Sequence, residues 1–148
     1  MNRRQLVKYI IAFPVLGSLL RSAAALAEWN VDAFAAQTER EAIDVFFPNR
    51  EIIPSDAIKI GVHEVIENGA VVPIKIDADL PAVQSISIFV EHNPNPLIAH
   101  FDLSPECKGF IATRIKIGQP SDIIAIVQSE GKLYSKRKFV EVVEGGCG

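Results

Sequence analysis

The sequence predicts an all-β fold, an immunoglobulin-like antiparallel β-sandwich preceded by a short helix, and three observations support this prediction. Short β-branched and aromatic runs recur about every ten residues after Pro48. Within these runs apolar and polar residues alternate with period two, as in strands that bury one face. Turn signals such as Asn68-Gly69 and Glu130-Gly131 separate the runs.

One helix precedes the strands in this prediction. Asp32 can cap a helix over residues 33–46, whose apolar side chains tend to one side and whose charged side chains lie on the other. Pro48 ends it, because the residue before a proline is disfavoured in the helical conformation. The helix is therefore short and lies before all of the strands.

Seven strands follow, and seven is the number typical of an immunoglobulin-like sandwich. Asn68-Gly69 predicts a tight hairpin between the first two strands, because both turn positions tolerate positive φ. Glu130-Gly131-Lys132 predicts a second hairpin between the last two strands. The predicted strands cover residues 58–62, 72–76, 86–90, 97–103, 111–117, 123–127 and 133–143.

The first 27 residues have the pattern of a twin-arginine export signal. Arg3-Arg4 is followed by Lys8 and by an apolar run over residues 9–20. This run is short for a membrane span, which needs about 20 apolar residues. Small residues in Ala25-Leu26-Ala27 predict cleavage after Ala27, and an uncleaved N-terminal anchor is the alternative. The prediction is a periplasmic protein that is exported by the twin-arginine pathway and leaves the membrane after cleavage.

Removal of this signal makes the chain more acidic. The full sequence carries 15 basic and 18 acidic side chains, and four of the basic ones lie in the signal. The remaining 121 residues have a net charge of −7, which disfavours nucleic acid as a partner. This length fits a single domain. The predicted organisation is a signal peptide (1–27), a helix and sandwich domain (28–144) and an arm (145–148).

Cys147 lies in the segment Gly145-Gly146-Cys147-Gly148. The glycines give its thiol reach and little steric shielding, because glycine has no Cβ atom. A free cysteine is mostly the neutral thiol at neutral pH, and the nearby Glu141 and Glu144 disfavour the anion further. The segment therefore supplies access without activation, and a partner protein would have to activate the thiol.

The other cysteine, Cys107, is predicted in a turn before the strand at 111–117. Two cysteines in an exported protein also allow a Cys107–Cys147 disulfide that staples the tail to the sandwich. The alternative function is then a non-catalytic periplasmic immunoglobulin-like binding or structural module.

Motifs of known enzyme classes are missing from the sequence. It has no serine elbow, phosphate loop or zinc spacing, and its carboxylates are scattered. The histidines His63, His92 and His100 have no close pairing, and the only methionine is Met1, so a blue-copper site is disfavoured. We therefore expect no metal, no cofactor and no catalytic residue.

Two polar segments have both a simple and a functional interpretation. The run Lys136-Arg137-Lys138 is interpreted as a solvated strand edge, and steering of acidic partners is the alternative. The segment Asn93-Pro94-Asn95-Pro96 is interpreted as a rigid turn whose asparagines bond their own backbone, and a recognition loop is the alternative.

Four segments, taken in order, resemble the SoxY sulfur carriers of bacterial thiosulfate oxidation. Each segment is weak alone, whereas their order, their spacing and the cysteine near position 148 are specific together. The resemblance covers nearly the whole chain after residue 27. The segments are Asn68-Gly69-Ala70-Val71-Val72-Pro73, Asn93-Pro94-Asn95-Pro96, Thr113-Arg114-Ile115 and Gly145-Gly146-Cys147-Gly148.

The resemblance implies a covalent carrier rather than an enzyme. Cys147 would hold the sulfur substrate, and Gly145, Gly146 and Gly148 would form the flexible stem of a swinging arm. Cys107 is not part of the family motif and is a possible redox partner of Cys147. The implied partners are SoxZ in a heterodimer, a c-type cytochrome that loads thiosulfate and a hydrolase that releases sulfate, with a sulfane dehydrogenase as an option.

Overall fold

The computed structural model describes residues 30–143, which form two short helices and nine strands. The helices are α1 (Val31–Ala35) and α2 (Glu39–Phe46). The strands are β1 (Ile52–Pro54), β2 (Ile58–Gly61), β3 (Val65–Ile66), β4 (Val72–Ala78), β5 (Val83–Val90), β6 (Leu97–Asp102), β7 (Phe110–Ile115), β8 (Ser121–Ser129) and β9 (Lys132–Val142). The predicted signal peptide and both predicted domain boundaries lie outside the described residues.

The strands form a sandwich of two sheets. The larger sheet has the order β1-β9-β8-β5-β6, with β3 also paired to β9, and the smaller sheet has the order β2-β4-β7. β1 and β3 run parallel to β9, and the other pairings are antiparallel. The immunoglobulin-like sandwich is thus confirmed, and all seven predicted strands are present. β1 and β3 are additional, since two or three residues are too few for a visible alternation.

The main core fills the space between the sheets. In β4 the side chains of Val72, Ile74 and Ile76 are buried, whereas the residues between them are exposed. The other strands of both sheets add mainly isoleucine and valine to this core. Period-two alternation was therefore a sound guide to the strands of the smaller sheet.

A second core lies on the outer face of the larger sheet. Phe89 of β5 and Ile124 and Ile126 of β8 pack there against Ala33 and Ala42 of the two helices. β5 and β8 are consequently buried on both faces, which explains the continuous apolar run of residues 123–127. The helices are thus a third layer over the central strands.

The prediction of one continuous helix over residues 33–46 was wrong, because the helical conformation is interrupted between residue 35 and residue 39. Thr38 has an extended backbone, and its hydroxyl accepts a hydrogen bond from the Glu41 amide (3.2 Å). Asn30, rather than the predicted Asp32, caps α1 by accepting from the Ala33 amide (3.1 Å). Thr38-x-x-Glu41 has the spacing of a capping box, so the sequence did contain the signal for a second helix start. No helix within residues 30–143 has the length and apolarity needed to cross a membrane.

Of the two predicted hairpins, one is confirmed and one was wrong. Glu130 (φ 49°) and Gly131 (φ 75°) join β8 to β9, with Ser129 paired to Lys132. β2 and β4 do pair antiparallel, as predicted, but Asn68-Gly69 is not a tight turn between them, because the chain first forms β3, which pairs with β9 in the other sheet. Asn68 instead accepts a hydrogen bond from the Ala70 amide (3.0 Å) and closes a local turn.

Candidate functional site: the base of the cysteine arm

β9 is the strand that leads to Cys147. It contains 11 residues, ends at Val142 and is followed by Val143, the last described residue. Cys147 comes four residues later, and the arm residues Gly145, Gly146 and Gly148 flank it. All four lie outside the described residues, so their roles stay predictions. The structure describes the base to which they are attached.

This base is held from both sides. β8 pairs with one edge of β9, up to the pair Ser121–Val140. On the other edge, the Glu141 amide donates to the Glu64 carbonyl (2.7 Å) and the Val143 amide donates to the Ile66 carbonyl (2.9 Å). The backbone is therefore hydrogen-bonded up to Val143, and the short strand β3 anchors the start of the arm.

Gly69 lets the loop after β3 close against this base. Its carbonyl accepts from the Ile117 amide (2.8 Å). A Cβ atom at position 69 would lie only 2.1 Å from the Ile117 carbonyl oxygen and 3.3 Å from Cγ1 of Val142. Only glycine permits this approach, which explains a glycine at a position where no hairpin forms.

Replacement Gly69→Ala should lower the free energy of unfolding by about 1–3 kcal/mol, because the added methyl group forces the loop away from Ile117. Denaturant unfolding measures this loss. Gly118→Ala is the matched control, since its Cβ would meet only Asn93 Oδ1 at 3.8 Å. We expect the control to change stability by less than about 1 kcal/mol. Equal stabilities of the two variants would contradict this account of Gly69.

The basic run Lys136-Arg137-Lys138 is engaged within the molecule. Lys136 pairs with Asp56, and the Lys138 ammonium donates to the Val62 carbonyl (3.1 Å). The run is nevertheless solvent-exposed as predicted, because the side chains of Lys136 and Arg137 are 40% and 50% exposed. The contacts with other elements are additional to this prediction, and steering of acidic partners stays a prediction.

Arg137 contacts three carboxylates from three separate segments of the chain. Its guanidinium contacts Glu39 at the start of α2, Glu91 after β5 (3.6 Å) and Asp122 of β8 (3.3 Å). Burial raises the pKa of Glu39, and the charge of Glu91 adds to this, while Arg137 acts in the opposite direction. The cluster joins the helical layer to β9, and ionised Glu39 carries a burial cost.

Because the pKa of Glu39 is raised, the difference in free energy of unfolding between the natural protein and Glu39→Gln should depend on pH. The neutral carboxyl stabilises the fold fully below the unfolded-state pKa, and this contribution is lost as pH rises through the higher folded-state pKa. Glu39→Gln stays neutral, so its stability relative to the natural protein should increase between pH of about 4 and about 7. Denaturant unfolding of both proteins across this range tests it. A constant or decreasing difference would contradict it.

Cys107 lies in the predicted turn, which is confirmed between β6 and β7. Its amide donates to the Ser104 carbonyl (2.9 Å), and its sulfur is 3.4 Å from the Ser104 hydroxyl. The thiol is exposed and borders a hollow of about 460 Å³ that Lys59 and Lys108 also line.

This turn lies at the opposite end of the sandwich from Val143. Gly109, two residues after Cys107, accepts a hydrogen bond from the Ala78 amide and lies next to Val83. Val83 pairs with Ser129, which in turn pairs with Lys132, the first residue of β9. The 11 residues of β9 span about 33 Å. Four residues beyond Val143 reach at most about 14 Å, and a disulfide needs Cα atoms about 4–7 Å apart. The length of β9 therefore disfavours an intramolecular Cys107–Cys147 disulfide, and this alternative stays untested because Cys147 lies outside the described residues.

Asn93-Pro94-Asn95-Pro96 forms a turn, but its asparagines bond to other segments rather than to their own backbone. The buried Asn93 amide donates to the Lys116 carbonyl (2.7 Å) and accepts from the Gly118 amide (3.1 Å). Asn95 donates to the Phe34 carbonyl (2.8 Å). The turn therefore joins the β7–β8 loop and α1.

A serine, a histidine and an aspartate meet on the outer face of β5 and β6, which the sequence analysis missed. His100 Nδ1 is 2.8 Å from the Ser87 hydroxyl, and its Nε2 is 3.2 Å from Asp102. Ser87 is fully buried, so a substrate has no access to its oxygen. Within residues 30–143, no group of three or more His, Cys, Asp or Glu side chains is placed to hold a metal ion.

Comparisons with known proteins agree on one family. The model of the family described as "Sulfur oxidation protein SoxY" matches residues 43–147. The solved structure of the sulfur carrier protein SoxY from Chlorobium limicola f thiosulfatophilum is 35% identical, with a TM-score of 0.64. The match covers 70% of this chain and 94% of that chain. No relative was found among the curated proteins. The chain therefore belongs to the SoxY family of sulfur oxidation proteins.

Proposed function

We propose that this protein is a sulfur carrier of thiosulfate oxidation, which holds sulfur intermediates covalently on Cys147 and presents them to partner enzymes. The family match carries this proposal, because it extends to residue 147 and so includes the glycine-flanked cysteine. The anchored base adds support, since a carrier needs a short mobile thiol on a fixed body.

Loading is an oxidation. The Cys147 thiol loses its proton, its sulfur bonds to the terminal sulfur of thiosulfate, and two electrons leave. The product is a cysteine S-thiosulfonate. The electrons pass to an oxidised c-type cytochrome, one to each of two haem equivalents, and this partner also activates the thiol that the acidic segment leaves neutral.

Release of sulfate is a hydrolysis. Water attacks the terminal sulfonate sulfur, the S–S bond to it breaks, and sulfate and two protons leave while a persulfide anion remains on Cys147. A separate metal-dependent hydrolase catalyses this step, and a sulfane dehydrogenase would oxidise the remaining sulfur. The carrier itself contributes the attachment atom and its position rather than catalysis.

The proposed setting is the periplasm after twin-arginine export, in a heterodimer with SoxZ. Arg3-Arg4 and the short apolar run that follows them support export, and the SoxY family relationship supports a partner from the Sox system.

Intact-mass measurement tests the proposed function. Purified protein is incubated with thiosulfate and the oxidised loading cytochrome, with SoxZ present. We expect a mass increase equal to one S₂O₃ unit, which a mild reductant removes. An unchanged mass with an active cytochrome would overturn the carrier function.

A further inference from the structure

Large apolar side chains are exposed around the base of the arm. Within residues 30–143, eight large hydrophobic side chains are exposed, and four of them lie at this end of the sandwich. They are Phe139 (59% exposed), Val65 (54%), Val71 (54%) and Val143 (46%), which we call the base patch. Half of the exposed large apolar residues are thus concentrated where the chain leaves towards Cys147.

Strand pairing places three of these side chains side by side. Val65 pairs with Glu141, which lies two residues from Phe139 and two residues from Val143. Residues two apart in a strand lie on the same face and about 7 Å apart. Phe139 and Val143 therefore lie on either side of the Val65–Glu141 pair, on the same face of the sheet.

A hollow continues the patch on its other side. Val65 and Val71 both line a depression of about 400 Å³, together with His63 and Pro73. The base patch is consequently a contiguous surface that includes a depression, rather than four isolated side chains.

Three glutamates lie within and around the patch, Glu141 between Phe139 and Val143 and Glu64 and Glu67 close to Val65, and we call them the acidic border. Glu64, Glu67 and Glu141 are exposed and form no ion pair with any residue in the range 30–143. The carboxylates around Arg137, by contrast, share an internal cation. These three unpaired charges make the border complementary to lysine and arginine on another molecule.

The length of chain between the patch and Cys147 limits what can approach. The Cα atom of Cys147 lies within about 14 Å of that of Val143, because four residues span no more than this. A catalytic centre that receives Cys147 must therefore bring the mouth of its channel to the surface around Val143. That surface is the base patch.

We propose that the base patch is the docking surface for the enzyme that loads Cys147, whose channel mouth has an apolar lip bordered by lysine and arginine. This inference rests on the proposed carrier function and adds a recognition site to it. The apolar centre supplies affinity by burial, and the acidic border supplies orientation and a faster approach.

Steady-state kinetics of loading by the c-type cytochrome test this surface. The double variant Val65→Ser/Phe139→Ser should raise KM for the carrier about tenfold or more, while kcat stays unchanged. Phe110→Ser is the matched control, since Phe110 is similarly exposed (48%) but lies beside Gly109 at the other end of the sandwich. The control should keep the natural KM.

Two further measurements separate docking from damage. The thiol of each variant should react with 5,5′-dithiobis(2-nitrobenzoic acid) at the natural rate, because this small probe needs no docking surface. Thermal unfolding should show a folded protein, and the single variant Val143→Ser serves if the double variant is not folded. A raised KM with an unchanged probe rate supports the proposal.

The acidic border has its own readout. Replacement of Glu64, Glu67 and Glu141 by glutamine should lower kcat/KM at low salt and flatten its dependence on ionic strength. An unchanged salt dependence would contradict the role of the border.

Failures of the two proposals can be told apart. If the natural protein gains no thiosulfate mass, the carrier function is overturned. If it is loaded and the double variant has the natural KM, only the docking surface is overturned. Weakened pairing with SoxZ at unchanged KM would also overturn it, because the patch would then be the heterodimer surface.

Discussion

Cys147→Ser is expected to abolish the thiosulfate adduct completely, whereas Cys107→Ser should keep it. The serine hydroxyl cannot form the S–S bond that holds thiosulfate. Cys107 lies in the turn near the first residue of β9, at the opposite end of the sandwich from Val143. Intact mass after incubation with thiosulfate and the loading cytochrome measures both variants.

The double variant without either cysteine serves as the background for this experiment. An adduct that persists in Cys147→Ser and disappears in Cys107→Ser would reverse the assignment. A mass equal to that of two chains, removed by reductant, would show disulfide pairing between two molecules. A bridge within one chain would instead leave the mass of a single chain and remove the free thiol of Cys107.

Phe89→Ala is expected to lower the free energy of unfolding by about 3–5 kcal/mol, the cost of an aromatic side chain lost from a packed core. Phe89 projects from β5 towards the two helices and is fully buried. The loss is a large part of the total stability of about 5–15 kcal/mol that a domain of this size has. Denaturant unfolding measures it.

Phe139→Ala is the control with the same side chain removed. Phe139 is 59% exposed on β9, so its loss should change stability by less than about 0.5 kcal/mol. Similar losses for the two variants would contradict the existence of a second core on the outer face of the larger sheet.

Much of the fold could be predicted because its strands alternate. β4 has a single buried face, and its period-two pattern marks its extent closely. β8 is buried on both faces. Its continuous apolar run predicted a strand, but it did not show that the two helices cover the outer face of that strand. The Thr38-x-x-Glu41 spacing could have revealed the second helix, because it is local. The second helix was not predicted, because the amphipathic pattern continues without interruption over residues 33–46.

The candidate site was predictable in its chemistry and not in its surroundings. The residue types around Cys147 and the order of the family segments indicated a carrier thiol. Alternation places Phe139 on the polar face of β9 between Arg137 and Glu141, but its grouping with Val65 had no signal, because Val65 belongs to the two-residue strand β3. The contacts of the basic run were equally hidden, since Arg137 meets residues as distant in sequence as Glu39.

Seven of the nine strands, the hairpin at Glu130-Gly131 and the glycine-flanked cysteine at position 147 could be read from the sequence, because they depend on local alternation, local φ preference and residue chemistry. Three features emerge only from the folded structure: Gly69 closes a loop against Ile117, β3 anchors Val143, and Cys107 and Val143 lie at opposite ends of the sandwich. Each of these depends on segments far apart in the chain that meet only when the two sheets pack together.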